Sequence, residues 1–277
     1  MRITEFGRGL LAFASACLAI LCLIYSDNAP LGRSLPAGVP WRDLWVYGPV
    51  IILLAASAGL CFARSALPSA LTITGYHAFS LVTCLPAILS NPISLGAWYG
   101  FCETLTSLTG AVILYAVLRQ HSPGSHMPAV SAFAVRMAQI LFGLTCVFYG
   151  WSHFAYADYT ASMVPAWLPA RLGFAYFTGL AHIAAGIGIT LGVLPRLAAT
   201  LEAMMMTLFG LLVWVPSFLA RPRPQWATPP ENQWSELVVS LLLATAACMV
   251  AISLRDRPWG HASRTRGRMS PGTDRPS

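Results

Sequence analysis

The chain has 277 residues, of which 56% are hydrophobic and only 10% are charged, and its formal net charge is +7. Soluble globular domains carry about 25% charged residues, so this composition excludes a single water-soluble domain. Apolar runs of about 20 residues, the length that crosses a bilayer, recur along the chain. We therefore predict an all-α, polytopic integral membrane protein.

Eight apolar segments follow one another, and turn signals rich in Pro, Gly and Asn separate them. The predicted transmembrane helices span residues 9–25, 45–62, 68–90, 99–118, 133–150, 173–194, 197–219 and 236–254. Pro49, Pro86 and Pro216 fall inside these segments. We expect them to kink the helices without ending them, because a membrane bundle tolerates interior prolines.

The second half of the sequence repeats the first. Residues 71–92 align with residues 201–222 without a gap. Paired positions along the two halves include Pro86 with Pro216, Tyr25 with His153, and Glu103 with Glu236. Each of the two glutamates has a serine four residues later, and such shared features are harder to obtain by chance than shared leucines. The pattern indicates an internal duplication.

This duplication predicts two tandem four-helix units, residues 1–120 and 130–257, of which the first is degenerate. An even number of helices in each unit makes the repeats parallel rather than inverted. The remaining segment, 258–277, is polar and rich in Arg, Pro, Gly and Ser. Such a composition predicts a disordered tail.

The arginines predict the orientation of the chain. All 17 basic residues are Arg, and with eight spans 12 of them fall on the side that holds both termini and five on the other. Positive residues concentrate on the cytoplasmic side, so both termini are expected in the cytoplasm, with the protein in a bacterial-type inner (plasma) membrane. The same distribution indicates topology rather than nucleic-acid binding. The expected partner is the lipid bilayer.

Polar aromatic residues concentrate in one outward-facing stretch, residues 150–169. It contains His153, Tyr156, Tyr159 and Trp167. A histidine here could bind a ligand or carry a proton. Alternatively, His153 pairs with a loop carbonyl beside aromatic residues that sit at the membrane interface. Because the first unit has Tyr25 at the equivalent position, histidine chemistry is expected in the second unit alone.

Two further ionisable residues are candidates for the same site. His182 lies near the middle of the sixth segment, where an ionisable group is a functional candidate, although a core histidine bonded to Ser or Thr is the alternative. Nearby, Gly188 and Gly192 form a GxxxG pattern that predicts close approach of another helix. Glu236, like Glu103, begins a helix near the outer surface and either faces the site or stabilises the helix N-terminus.

Other residues that attract attention have simpler interpretations. Glu202 is expected to form a local ion pair with Arg196. The run Met204–Met206 predicts core packing, since consecutive helical residues point about 100° apart and cannot converge on a metal ion. Seven cysteines without a CxxC pair are expected to be structural. His77, His121 and His126 show no ligand spacing, so no metal site is expected.

Motifs of the second unit resemble the DoxX family of small membrane proteins. The resemblance is carried by G-x-x-H-F at Gly150–Phe154, VPxWLP at Val164–Pro169, F-x-Y-x-x-G at Phe174–Gly179 and IAAGxG at Ile183–Gly188. It covers residues 133–254 well and the first unit weakly. Family members are usually single four-helix units, and the first unit here has lost the G-x-x-H-F motif.

The resemblance implies a quinone environment and a membrane oxidoreductase subunit as a partner, with most family members lacking an assigned activity. The leading hypothesis is therefore a DoxX-like membrane subunit, catalytic or accessory, with a small amphipathic-ligand site near the outer leaflet. The residues expected at this site are His153, Tyr156, Tyr159, Trp167 and Glu236, with quinone as the candidate ligand. One alternative is a transporter or export accessory that moves its two units and has His182 in the path. Another is a non-catalytic membrane scaffold.

Overall fold

The computed structural model describes residues 2–25, 38–120, 128–220 and 222–259, and all secondary structure in these ranges is helical. The helices are α1 Arg2–Ile24, α2 Arg42–Leu60, α3 Ala66–Ser90, α4 Leu95–Gln120, α5 Pro128–Ala155, α6 Ala157–Met163, α7 Arg171–Leu191, α8 Pro195–Phe209, α9 Val215–Leu219 and α10 Pro230–Ser253. A π-helical turn, Gly210–Trp214, joins α8 to α9. His121, His126 and most of the predicted tail lie outside the described residues.

All eight predicted membrane spans are confirmed as helices that are long and apolar enough to cross a bilayer. The seventh span, Pro195–Leu219, consists of α8, the π turn and α9. The spans contain 19 to 26 residues, which suits the roughly 20 residues that a bilayer core requires. The protein is therefore an all-α, multi-pass membrane protein.

Interior prolines have different local effects. Pro49 lies inside α2 and Pro86 lies inside α3, and both helices remain α-helical around them. Pro216 is instead the second residue of α9, which follows the π turn. Proline has no N–H for the carbonyl four residues earlier, and a widened turn is one way in which a helix accommodates that loss. The repeat therefore preserves the proline but not the local geometry.

Helices contact one another in a pattern that is similar in the two halves. In the first half, α1 packs on α2, α2 on α3 and α3 on α4; in the second, α5 packs on α7, α7 on α8 and α8 on α10. The halves meet where α4 contacts α5 and α10 and where α1 contacts α10. At the centre a Cβ on Gly110 would lie 2.9 Å from Ala246 Cα, so α4 and α10 are in backbone contact. The exact division into two units stays a prediction.

Four glycines bring α5 and α7 close together. They form two facing pairs, Gly143 with Gly186 and Gly150 with Gly179, in which a Cβ on either residue would collide with the opposite helix. Of the predicted GxxxG pair, Gly192 makes no close helix contact, because α7 ends at Leu191 and Gly192 terminates it with φ of 76°. Gly188 faces the beginning of α8 at Ala198 instead.

At the end of the bundle opposite to the Gly150–Gly179 contact, two arginines bind backbone carbonyl groups at or just beyond helix C-termini. Arg136 donates hydrogen bonds to the carbonyl oxygens of Ile189 (3.2 Å) and Thr190 (2.6 Å) at the end of α7. Arg196 donates to the Arg255 carbonyl oxygen at 2.8 Å. The predicted ion pair between Arg196 and Glu202 is therefore wrong. Arg196 reaches the chain just beyond α10, whereas Glu202 points into the bundle and pairs with a histidine.

Candidate functional site

Close approach of α5 and α7 fixes His153 in the last turn of α5. The side chain lies over Gly179, and its Nδ1 is 2.9 Å from Thr178 Oγ1. The Thr178 hydroxyl donates its own hydrogen to the Phe174 carbonyl oxygen at 2.9 Å. With that hydrogen used, we assign Thr178 Oγ1 as the acceptor for His153 Nδ1–H. The neutral imidazole then has its free lone pair on Nε2.

His182 forms a buried hydrogen-bonded pair with Glu202. Its Nδ1 lies 2.7 Å from Glu202 Oε1, and the two residues are only 1% and 2% exposed. The short connection between α7 and α8 makes the helices antiparallel neighbours, which brings two residues 20 positions apart into contact. The expected Ser or Thr partner of His182 is wrong, since the partner is a carboxylate. The Cys146 thiol of α5 lies beside that carboxylate.

Both imidazoles belong to one aromatic cluster. The rings of His153 and His182 have centroids 5.1 Å apart at an interplanar angle of 66°. Phe209 of α8 contacts both, stacking on His153 and meeting His182 edge-on, each at 5.9 Å. The Tyr149 ring meets His182 at 6.1 Å. These contacts hold the two histidines side by side inside the bundle.

Hydrogen bonds from α4 brace the α5 side of this cluster. Tyr149 Oη lies 2.9 Å from Thr106 Oγ1, which donates to Thr145 Oγ1 at 2.8 Å. Nearer the C-terminal end of α5, the Tyr99 hydroxyl donates to Ser152 Oγ. The first half of the chain therefore supplies part of the support for the histidines.

A cavity of about 1080 Å³ opens beside the cluster and draws its walls from α3, α4, the α5–α6 region, α7, the seventh span and α10. Most of its lining is apolar. Polar and ionisable groups of the lining include Thr83, Tyr99, Glu103, Tyr149, Ser152, His153, Tyr156, Tyr159, Thr160, Thr178, His182, Thr228, Asn232, Ser235, Glu236 and Ser240. Among the described lining residues there are two glutamates and two histidines, and no arginine or lysine.

Five of the six predicted site residues line this one cavity: His153, Tyr156, Tyr159, His182 and Glu236. The sixth, Trp167, does not line it and is 71% exposed. Its neighbours Pro165 and Leu168 face the cavity, so the turn after α6 directs the indole outward. The ligand-binding role of all six residues stays a prediction.

The sequence alone predicted only structural roles for two groups of residues that line the cavity. Glu103, equivalent to Glu236 in the repeat, lines the same cavity from α4, so a position that looks architectural in the sequence brings a second carboxylate to the site. Met204, Met205 and Met206 all line the cavity as well. Core packing is wrong for Met204, which is 55% exposed, because this part of α8 forms an outer wall rather than a bundle centre.

Tyr159 is the ionisable lining residue of α6, outside the membrane spans. Partial burial raises the pKa of its hydroxyl above the ordinary 10.0, and the Glu236 carboxylate raises that pKa further. The hydroxyl is therefore a neutral hydrogen-bond donor at physiological pH. Across the described ranges, no group of three His, Cys, Asp or Glu side chains could hold a metal ion.

Comparison with protein families gives one match. Residues 142–251 are similar to a family described as a domain of unknown function, DUF8561. The matched range includes both histidines, Glu202 and Glu236, but it covers less than half of the chain. Searches of curated proteins and of solved structures found no match. The resemblance to the DoxX family stays a prediction.

Proposed function

We propose that this membrane protein binds a small amphipathic ligand of the quinone class in the cavity beside His153 and His182. The observation that supports this proposal is the placement of two imidazoles inside a largely apolar cavity. Ligand sites typically combine an apolar wall with a few polar groups that orient the ligand. The volume, about 1080 Å³, lies at the upper end of the range for such sites, so a head group and part of an apolar tail fit together.

Charge selects a neutral ligand over an anionic one. Glu103 and Glu236 contribute acidic side chains to the lining, and the described lining residues include no arginine or lysine that could pair with an anion. A phosphate or carboxylate head group would lose its water there without gaining a cationic partner, which is unfavourable. A quinone ring carries no charge, accepts hydrogen bonds at its two oxygens, and stacks on aromatic side chains such as Phe209.

The cellular setting follows as part of the same proposal. The protein is a DoxX-like subunit that works beside a membrane oxidoreductase, and its seventh span and α10 form part of the ligand cavity. It lies in a bacterial-type inner membrane with both termini in the cytoplasm. In this setting His153 contacts the head group and Tyr159 donates a hydrogen bond. Transport and a scaffold role stay predictions, because no contact among the described residues favours either one over ligand binding.

The test is ligand identification on protein purified in detergent. Lipids extracted from wild-type protein and from the His153→Ala variant would be analysed by mass spectrometry, and binding of decylbenzoquinone would be measured on both. We expect a quinone to co-purify with wild type and to be lost in His153→Ala. Trp167→Ala is the matched control, since this exposed aromatic lies outside the lining, and it should retain the ligand. Equal binding by wild type and His153→Ala would refute the proposal.

A further inference from the structure

Glu202 is an acidic residue deep in a membrane span, and among the described residues its hydrogen-bonded partner is a single histidine. It lies seven residues from the inner end of the seventh span, about 10 Å along the helix. Its side chain is 2% exposed, and the partner is His182. Arg196, near the same helix end, is bound to the Arg255 carbonyl oxygen and does not offset the charge.

The cost of burying charge determines how many protons the pair holds. An isolated carboxylate that leaves water for a low-dielectric interior pays several kcal/mol even after relaxation. If His182 were neutral and Glu202 were ionised, the negative charge of the Glu202 carboxylate would be buried without a compensating positive charge. The pair therefore retains one shared proton, either as imidazolium with carboxylate or as neutral imidazole with carboxylic acid.

The contacts of the carboxylate then determine which ring nitrogen carries hydrogen. Among the described residues Oε2 of Glu202 has no hydrogen-bond acceptor, because the neighbouring Cys146 thiol is a weak donor toward the carboxyl group, so a proton on Oε2 would be a poorly bonded buried O–H. In the neutral form the acid proton therefore lies on Oε1 and is donated to Nδ1, which leaves the ring hydrogen on Nε2. In the ionic form both ring nitrogens carry hydrogen. Both forms place hydrogen on Nε2 of His182.

We infer that His182, which lines the cavity and keeps a hydrogen on Nε2 because of Glu202, donates a hydrogen bond to a carbonyl oxygen of the bound ligand. His153 differs, because its Nδ1–H is given to Thr178 and its Nε2 is an acceptor. The two rings, 5.1 Å apart, thus offer a donor and an acceptor side by side. This assignment rests on the proposed function for the ligand class, while the hydrogen on Nε2 follows from the protein alone. Glu202 is a positioning residue, since it does not line the cavity.

The first experiment is nitrogen-15 NMR on full-length protein labelled at histidine. The chain has six histidines, and the His182 signals would be assigned by their absence from a His182→Asn spectrum. We expect Nε2 of His182 to show the shift of a protonated ring nitrogen and Nε2 of His153 to show that of an unprotonated one. An unprotonated Nε2 in wild-type His182 would overturn the inference, and this measurement needs no variant at position 202.

The second experiment measures affinity. Glu202→Gln keeps a similar side-chain volume but removes the charge requirement, so the ring hydrogen is no longer confined to Nε2. Loss of a typical net hydrogen bond corresponds to about a 2- to 10-fold weaker Kd for decylbenzoquinone. Decylbenzene, with the same tail and no carbonyl oxygens, should bind both proteins equally. Glu231→Gln is the matched control, because Glu231 is outside the lining.

The outcomes separate this inference from the proposed function. If Glu202→Gln binds decylbenzoquinone as tightly as wild type while His153→Ala does not bind it, His182 is not the donor and the inference is wrong. If wild type binds no quinone, the proposed function fails. In that case the nitrogen-15 spectrum alone decides whether His182 is a donor to the cavity.

Discussion

Replacing Gly150 with alanine is expected to force α5 away from α7 and to break the hydrogen bond between His153 and Thr178. The new Cβ would lie 2.5 Å from the Gly179 carbonyl oxygen and 2.5 Å from Ile183 Cγ1. The carbonyl belongs to the helix backbone, so rotation of a side chain cannot relieve that contact. Relief requires the two helices to move apart.

The size of the movement follows from the contact distances. Ordinary van der Waals contact begins near 3.4 Å, so the Gly150→Ala helix must move by about 0.9 Å. The same movement would lengthen the 2.9 Å distance between His153 Nδ1 and Thr178 Oγ1 to about 3.8 Å, which is too long for a hydrogen bond. Overpacking of this kind costs about 1–3 kcal/mol of folding free energy.

The assay combines thermal unfolding in detergent with the nitrogen-15 spectrum of His153. Gly150→Ala should lower the unfolding temperature and shift the His153 ring nitrogens toward the values of an unbonded imidazole. Gly75→Ala is the matched control, because a Cβ added at Gly75 in α3 would meet no atom within 4 Å. Unchanged stability together with an unchanged His153 spectrum would show that the helices do not meet at this glycine.

Two further expectations concern groups outside the histidine cluster. Arg136→Met removes donors to the Ile189 and Thr190 carbonyl oxygens, so we expect a loss of about 1–3 kcal/mol in unfolding free energy, with Arg64→Met, an exposed arginine, as the near-neutral control. For Tyr159, the raised pKa means that the folded protein favours the neutral hydroxyl, so the stability this group contributes is present below pH 10 and is lost as the pH rises further. The Tyr159 pKa would be measured by absorbance titration, with a Tyr159→Phe variant as the reference. This pKa should be lower in Glu236→Gln than in wild type, and an unchanged pKa would contradict the role assigned to Glu236.

Patterns within single segments were enough to predict the membrane architecture. Whether about 20 successive apolar residues enter the bilayer depends on that segment alone, so the eight spans could be identified without any knowledge of their packing. Polar aromatic residues next to His153 likewise marked the outer end of α5 as a candidate site. Five of the six predicted residues line one cavity, and only the direction of the Trp167 side chain was missed.

Contacts between segments depend on the tertiary structure. His182 and Glu202 are 20 residues apart and lie on different helices, and no sequence periodicity relates two such positions. The sequence therefore favoured Arg196, which is nearer in the chain, as the partner of Glu202. Glu103 joins the cavity from the first half of the chain because α4 packs against both α5 and α10. The sequence by itself determined which segments enter the membrane, since that depends on the transfer of each segment from water. Only the packing of the helices decided which ionisable groups share a site, because charge pairing depends on distances of a few ångströms in space.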